Sequence, residues 1–404
     1  MTIEAAPKPN LYDARADLEV LVAGDDPPLV APYDPAQAAA APPPRRRRWR
    51  KRRIVALVLV ALLVPVGWSY AGYLRAPGDA PVSVRTDDWL RDHGFDSVVN
   101  RVEQWWYTRS TPSGRKVPAA NLPTGFVTNP TAADARVLSP QRSRQAGEGV
   151  WHLVPGLAGH TSVEETYIRP DTRFPSVAVD LVRFDQATTR LVYAPGTTEP
   201  GGTWAWNARI PRSADSRVIA AFNAGFKFKN YPGGMYTEGK HAVRPLANGM
   251  ASLVVRRNGL ADIVAWHSGN TVPSGIVTVR QNLHLIVTNG QEAPGLLTDR
   301  SHQWGTTKSQ LQYTWRSGIG IDAQGRLIYA AGPKMSLTEL AHALIDAGAV
   351  RAMQLDIHDG VVTFNWYRDA AGRVAGTKLM PAMQRGTTRY LMTDQRDFFA
   401  VETK

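Results

Sequence analysis

The 404-residue chain carries 47 Lys and Arg against 35 Asp and Glu, is 43% hydrophobic and has no cysteine. That length admits one large domain, or two, plus a tail, and the lack of cysteine excludes a disulfide scaffold, a zinc ribbon, an iron–sulfur centre and a thiol nucleophile, while leaving the compartment open. The net charge of +12 is uneven: −5 over residues 1–44, +8 in the block RRRRWRKRR at 45–53, and a mild +9 over the remaining 351 residues.

Residues 1–44 are rich in Pro and Ala with scattered acids, a composition that cannot bury a core and is expected to be disordered. Ile54 to Leu74 then reads IVALVLVALLVPVGWSYAGYL, 21 residues without a charge. At 1.5 Å per residue this covers about 31 Å, the thickness of a bilayer core. Pro65 is tolerated inside a span, and Trp68, Tyr70 and Tyr73 gather at one end, as interface aromatics do. The basic block abuts the other end, so the positive-inside rule assigns residues 1–53 to the cytoplasm and the rest to the outside. A cleaved signal peptide would need a charged leader of 53 residues and a shorter apolar run. The expected partner of residues 45–74 is therefore lipid, and nucleic acid is not expected, because the dense charge is juxtamembrane.

Residues 75–149 form a linker with a helical and loop extension. Pro77, Gly78 and Pro81 mark the linker, and a helical pattern runs from about Thr86 to Tyr107, interrupted at Gly94. Trp89, Leu90, Val98, Val99, Val102, Trp105 and Trp106 fall near one face; packing is the favoured use, with a lid and a membrane-surface helix as alternatives. Residues 110–147, rich in Pro, Ser, Arg and Ala, read as surface loop.

From about Val150 to the end the texture is short β-like runs between turn residues, at 176–184, 190–194, 217–224, 251–257, 284–288 and 361–367. One helix stands out. Ser336 and Glu339 make a capping box, Leu337, Leu340, Ala341, Leu344 and Ile345 make an apolar stripe, and Gly348 is a natural stop. A hairpin, 318–322 with 326–331, precedes it, and the apolar run Val350–Leu355 follows, ending at Asp356. The fold class expected is α+β: a β-rich mixed-sheet domain at 150–404 with few helices, preceded by a single transmembrane helix.

No nucleophile elbow, zincin helix, Walker loop or dinucleotide fingerprint occurs. The polar residues at strand ends are Asn223 beside Gly225 in AFNAGFKF, Tyr236, Glu238, Lys240 and His241 in GGMYTEGKH, Asn289 in VTNGQ, Arg316 in WRSGIGID, and Asp356, His358 and Asp359 in LDIHDG. Each also has a plain structural reading as a turn or surface residue. The Asp-x-His-Asp spacing is a weak metal signature, so no metal or cofactor is expected.

Four segments in order give residues 170–400 a resemblance to the phosphodiester glycosidases. FNAGFKF resembles their Asn-Gly-Gly-Phe-Phe segment, Arg316–Ile321 their Arg-Thr-Ala-Ile-Gly-Ile segment, Ser336–Ala341 their helix start, and Leu355-Asp356 the opening of their Leu-Asp-Gly-Gly-Gly-Ser loop. The last match departs from the pattern, since Ile357 and His358 stand where glycines would let a backbone approach a phosphate or sugar. The resemblance implies hydrolysis between a sugar's anomeric carbon and a phosphodiester. Asp356 and Glu238 are then the candidate carboxyls, with His358 as a partial substitute for the glycine loop. Arg316 would pair with phosphate, and Asn223, Asn289 and Gly225 would contact the substrate. Asn223, Arg316 and Asp356 are expected to line one cleft. The function expected is a membrane-anchored, extracytoplasmic hydrolase of sugar-phosphodiester linkages in envelope glycans; the alternative is a non-catalytic glycan- or phosphate-binding module on the same fold.

Overall fold

The computed structural model describes residues 46–404 except 77, 124–136, 155–156, 158–162, 299–301, 306–311 and 371–372. The expected disordered tail at 1–44 lies outside the described residues, as does part of the 110–147 loop. The chain divides into two units, Met1–Leu63 and Val64–Lys404.

Helix α1 (Arg46–Arg75) takes in most of the basic block as well as the whole apolar run, with Pro65 inside it. Its segment Trp49–Arg75 is long and apolar enough to cross a membrane, and none of that segment's apolar window is buried. The helical pattern after it is two helices rather than one. α2 (Val82–Asp92) and α3 (Asp96–Arg109) are separated at Gly94, whose φ of 85° is easy only for glycine. Ser69 Oγ, Tyr70 and Tyr73, near the end of α1, hydrogen-bond Trp89 Nε1, Thr86 Oγ1 and Asp92 respectively, at 3.1, 2.7 and 3.0 Å.

Strands fill the rest. In chain order they are β1 (His152–Leu153), β2 (Val163–Ile168), β3 (Val179–Phe184), β4 (Thr189–Ala194), β5 (Val218–Asn223), β6 (Met235–Thr237), β7 (Lys240–Ala242), β8 (Ala251–Arg256) and β9 (Ala261–Ala265). There follow β10 (Ile276–Gln281), β11 (Leu285–Thr288), β12 (Gln291–Glu292), β13 (Thr314–Asp322), β14 (Leu327–Met335), helix α4 (Leu337–Asp346), β15 (Ala349–Ile357), β16 (Phe364–Ala370), β17 (Arg373–Lys378) and β18 (Phe398–Thr403). They form an eight-stranded sheet, β1-β2-β3-β14-β13-β15-β11-β12, and two five-stranded sheets, β7-β6-β10-β8-β9 and β17-β16-β5-β18-β4. The ladders among the described residues are antiparallel; the parallel contact is the isolated Gly196–Pro200 bridge. The β-rich α+β class with few helices is thus the architecture observed.

The eight-stranded sheet has two buried faces. One packs Val182, Phe184, Ile319 and Tyr329 against Phe222, Phe364 and Phe399 of the β5–β18 sheet. The other takes α4, whose Leu337, Leu340, Ala341 and Leu344 meet Leu181, Ile328 and Ala352. The capping box at Ser336 and Glu339 forms as the sequence predicts, fixing where α4 starts. β13 packs closely on α4 at Gly318, where a Cβ would sit 3.1 Å from Leu344 Cδ1 and 3.2 Å from Leu340 Cδ2. Gly318 and Gly320 of β13 therefore lie on the α4 side and Ile319 and Ile321 on the side of the central core, while a register shift between Thr314 and Arg316 lets Thr314 depart from this parity. That parity determines which side chains reach the site.

Candidate active site

Where β15 ends, the eight-stranded sheet meets β5 of its neighbour. The Asp356 amide donates to Ala224 O at 3.0 Å, and Ser317 Oγ donates to Asp356 O at 3.0 Å. Asn223 Nδ2 donates to Ser317 Oγ at 3.0 Å, and Asn223 Oδ1 accepts from the Thr363 amide at 3.1 Å. Asn223 is only 1% exposed, so it acts as a buried bracket between two sheets. What it fixes is the backbone of Asp356.

The Asp356 carboxylate opens onto a cavity of about 700 Å³. Its Oδ1 accepts from the Ile357 amide at 2.8 Å, and its Oδ2 accepts from Arg396 Nη2. Arg396 also donates to Gly225 O at 3.4 Å, while its Nε has no hydrogen-bond partner among the described residues. Lys227, Phe226 and Tyr107 contribute further to the lining. Beneath this wall, the buried Arg280 donates from Nε to Asp397 Oδ2 at 2.7 Å and from Nη2 to Phe226 O at 3.0 Å. Tyr193 hydroxyl donates to the same Asp397 oxygen at 2.7 Å. Asp397 Oδ1 has no hydrogen-bond partner among the described residues, but the paired Arg280 charge is tolerated in the core and holds the 226–231 loop in position.

The opposite wall is α2 and α3. Lys227 Nζ meets Asp88 at 2.5 Å, and Arg91 joins Asp87 at 2.8 Å to Glu103 at 2.6 Å. His358 reaches across to this wall, its ring stacked on Tyr107 with centroids 5.1 Å apart. Its Nδ1 lies 3.1 Å from Thr314 Oγ1 and its Nε2 lies 3.8 Å from Glu103. Burial lowers the His358 pKa to about 4; Asp356 opposes the shift, and Arg91 and Arg316 reinforce it. The imidazole is therefore neutral at pH 7 and serves as a hydrogen-bonding group rather than a cation. His358 has φ 80°, the left-handed region that favours glycine.

The remaining sequence candidates lie elsewhere. Arg316 is on the α4 side of β13; its Nε donates to Met335 O at 2.9 Å and its Nη2 to Gln312 O at 3.1 Å, and burial, opposed by Glu339, lowers its pKa to about 10. It is absent from the cavity lining, so Asn223, Arg316 and Asp356 do not share one cleft. Glu238 sits at φ 52° in the β6–β7 turn and accepts from the Ala205 amide at 3.0 Å. Asn289, also at φ 52°, starts the Asn-Gly turn between β11 and β12 and is exposed. Neither lines the cavity. Gly225 adjoins it: a Cβ there would approach Asn282 Cγ to 3.0 Å and Arg280 Nη1 to 3.1 Å. No group of three or more His, Asp or Glu among the described residues is placed to hold a metal ion.

The sequence reading passed over Arg396, Lys227, Ser317 and Tyr107. No local signal marks Arg396: it lies just before β18 and comes to the site because β18 pairs with β5, so that Phe398 faces Asn223.

Comparison with known proteins gives the site a family context. Residues 216–356, which include Asn223, Lys227, Ser317 and Asp356, match the family model described as phosphodiester glycosidase. No curated protein matches the chain. Among solved structures, the zebrafish N-acetylglucosamine-1-phosphodiester alpha-N-acetylglucosaminidase catalytic domain, auto-inhibited by its pro-peptide, is 16% identical with a TM-score of 0.41, over 62% of this chain and 87% of that one. A hypothetical protein from Synechocystis is 14% identical with a TM-score of 0.36, over 60% of this chain and 62% of that one. An exported protein from Burkholderia pseudomallei is 11% identical with a TM-score of 0.30, over 56% of this chain and 74% of that one.

Proposed function

Given that residues 216–356 carry the phosphodiester glycosidase match, we propose that the chain hydrolyses sugar-phosphodiester linkages and that Asp356 is its catalytic carboxyl. The observation that carries this reading is the juxtaposition of Asp356 with Arg396 at the edge of a 700 Å³ cavity that also presents Lys227. The two cations offer an anion site for the phosphate, and Arg396 has a fork suited to two of its oxygens. Tyr107 and Phe226 offer apolar ring surface for a sugar. A phosphate leaves as a stable anion and needs no protonation, so a single carboxyl at the anomeric centre suffices. Its role is to accept a proton from the attacking water. Neutral His358 can hold that water or a sugar hydroxyl. Asn223 and Ser317 keep the carboxylate in register.

The second reading, a non-catalytic glycan- or phosphate-binding module, is favoured by Ile357 and His358 in the loop and by the ion pairs that already engage Asp356 and Lys227. The full-length protein in detergent should release free sugar from a sugar-1-phosphodiester, with Asp356→Asn inactive and still folded. Binding without turnover by the wild type across a panel of sugars would select the second reading.

The substrate assigned is an envelope glycan outside the cytoplasm, because α1 is read as a retained single-pass anchor with the basic block at its cytoplasmic end. The bonds from Ser69, Tyr70 and Tyr73 to α2 support retention, since removal of the helix as a leader would discard them.

A further inference from the structure

Helix α3 is amphipathic in an inverted sense. The face carrying Asn100, Glu103 and Tyr107 lines the cavity. On the outward side, Phe95, Val98, Val102, Trp105 and Trp106 are 46, 55, 60, 52 and 61% exposed. At 3.6 residues per turn these positions form one continuous stripe. Soluble surfaces scatter single apolar residues, but a contiguous aromatic and branched stripe marks a contact surface. Arg101 and Arg109 are exposed on the same helix, and the Arg109 guanidinium lies 4.6 Å from the Trp105 ring centroid. Exposed tryptophan and valine with flanking arginine is the composition of a helix that lies in a lipid headgroup layer.

The stripe is also joined to the end of α1. His93, at the α2–α3 turn, has its Nε2 2.9 Å from Ser69 Oγ and its ring against Tyr73, and the stripe starts two residues later at Phe95. Trp68, next to that contact, is itself 79% exposed.

We propose that the outward stripe of α3 is a membrane-docking surface, seated in the outer headgroup layer of the bilayer that α1 enters. The proposal rests on reading α1 as a retained span. Its consequence for the site is direct: the inner face of α3 lines the cavity, so docking holds the cavity about one helix diameter, roughly 10 Å, from the lipid surface. Substrates presented at the membrane surface are then the ones that reach Asp356.

The native chain has no cysteine, so single labels can be introduced by Val102→Cys, Leu62→Cys and Asn258→Cys, the last in the exposed β8–β9 turn. Each full-length variant is labelled with an environment-sensitive fluorophore and reconstituted into phosphatidylcholine–phosphatidylglycerol vesicles containing lipids spin-labelled at a shallow position or, for the Leu62 label, deep in the acyl chain. The label at Val102 should lose roughly half or more of its emission, as a group about 5–10 Å below the headgroup boundary does. The label at Asn258 should be unaffected. A quenched Leu62 label with an unquenched Val102 label would overturn the docking surface and leave the anchor intact. An unquenched Leu62 label would overturn the anchor, and the docking surface with it. A Val102 label that self-quenches between copies but not with lipid would assign the stripe to a second copy of the chain and also overturn the proposal.

Discussion

Arg396 Nη2 donates to Oδ2 of Asp356, linking the loop before β18 to the last turn-in of β15 across 40 residues of sequence. The pair gathers a cation and a carboxylate at one cavity wall, and each of its members is held from behind by backbone contacts.

The first prediction tests the cation. Arg396→Lys keeps the charge but loses the fork, and kcat/KM for a sugar-1-phosphodiester should fall about 10- to 100-fold, the equivalent of the roughly 1.5–3 kcal/mol of a charged hydrogen bond. The loss should fall mainly in KM. Arg316→Lys, by contrast, should affect stability rather than KM, because Arg316 faces the α4 side. Steady-state kinetics on the two variants separate the roles.

His358 sets a pH dependence. Its pKa falls from 6.5 to about 4 in the folded protein because burial disfavours the imidazolium. Between these values the unfolded chain binds more protons than the folded one, so stability rises with pH. The contribution of His358 is complete above pH 6.5 and is lost as the pH falls from 6.5 towards 4. Thermal melts at pH 7.5 and 4.5 should show a smaller acid-induced drop for His358→Gln than for the wild type. Equal drops would remove His358 from the account.

A third expectation concerns Gly225. A methyl group there meets Asn282 and Arg280 at 3.0–3.1 Å, so Gly225→Ala should destabilise the protein by about 1–3 kcal/mol, as overpacking does. Denaturant midpoints in detergent measure this. An unchanged midpoint would show that the pair yields freely.

Asp397 supplies a fourth. One of its oxygens accepts from both Arg280 and Tyr193 inside the core. Asp397→Asn should cost about 3–5 kcal/mol, the usual effect of leaving a buried charge without its partner. The same denaturation series reports it.

Much of this organisation was legible in the chain. Ser336 with Glu339 announced α4, Gly94 announced the break between α2 and α3, and the apolar run before Asp356 announced β15. These signals are local, set by caps, turn residues and periodicity. The site was less legible because it depends on which face of a strand a residue occupies, and a one-residue change of parity reverses that face. On β13, Ile319 and Ile321 share parity with Ser317, so the core-facing polar residue was Ser317 and the neighbouring Arg316 was bound to face α4. Glu238 and Asn289 looked like strand-end chemistry, yet both sit at positive φ in turns and neither lines the cavity. Arg396 and Lys227 come to Asp356 only through the pairing of β18 with β5 and the loop held by Arg280, neither of which is a local feature. The inverted amphipathicity of α3 was hidden for a similar reason. Its apolar positions read as a packing face, whereas in the structure the polar face packs and the apolar one is left outside.

The measurement that bears most directly on the central claim is the fate of labelled water. The full-length protein is incubated with a methyl sugar-1-phosphodiester in oxygen-18 water, and both products are analysed by mass spectrometry and phosphorus NMR. Attack at the anomeric carbon assisted by Asp356 predicts oxygen-18 in the released sugar and none in the methyl phosphate, with Asp356→Asn slower by about 10²–10⁴-fold, the usual contribution of an acid–base group. Oxygen-18 in the phosphate, or an Asp356→Asn rate equal to that of the wild type, would contradict the account.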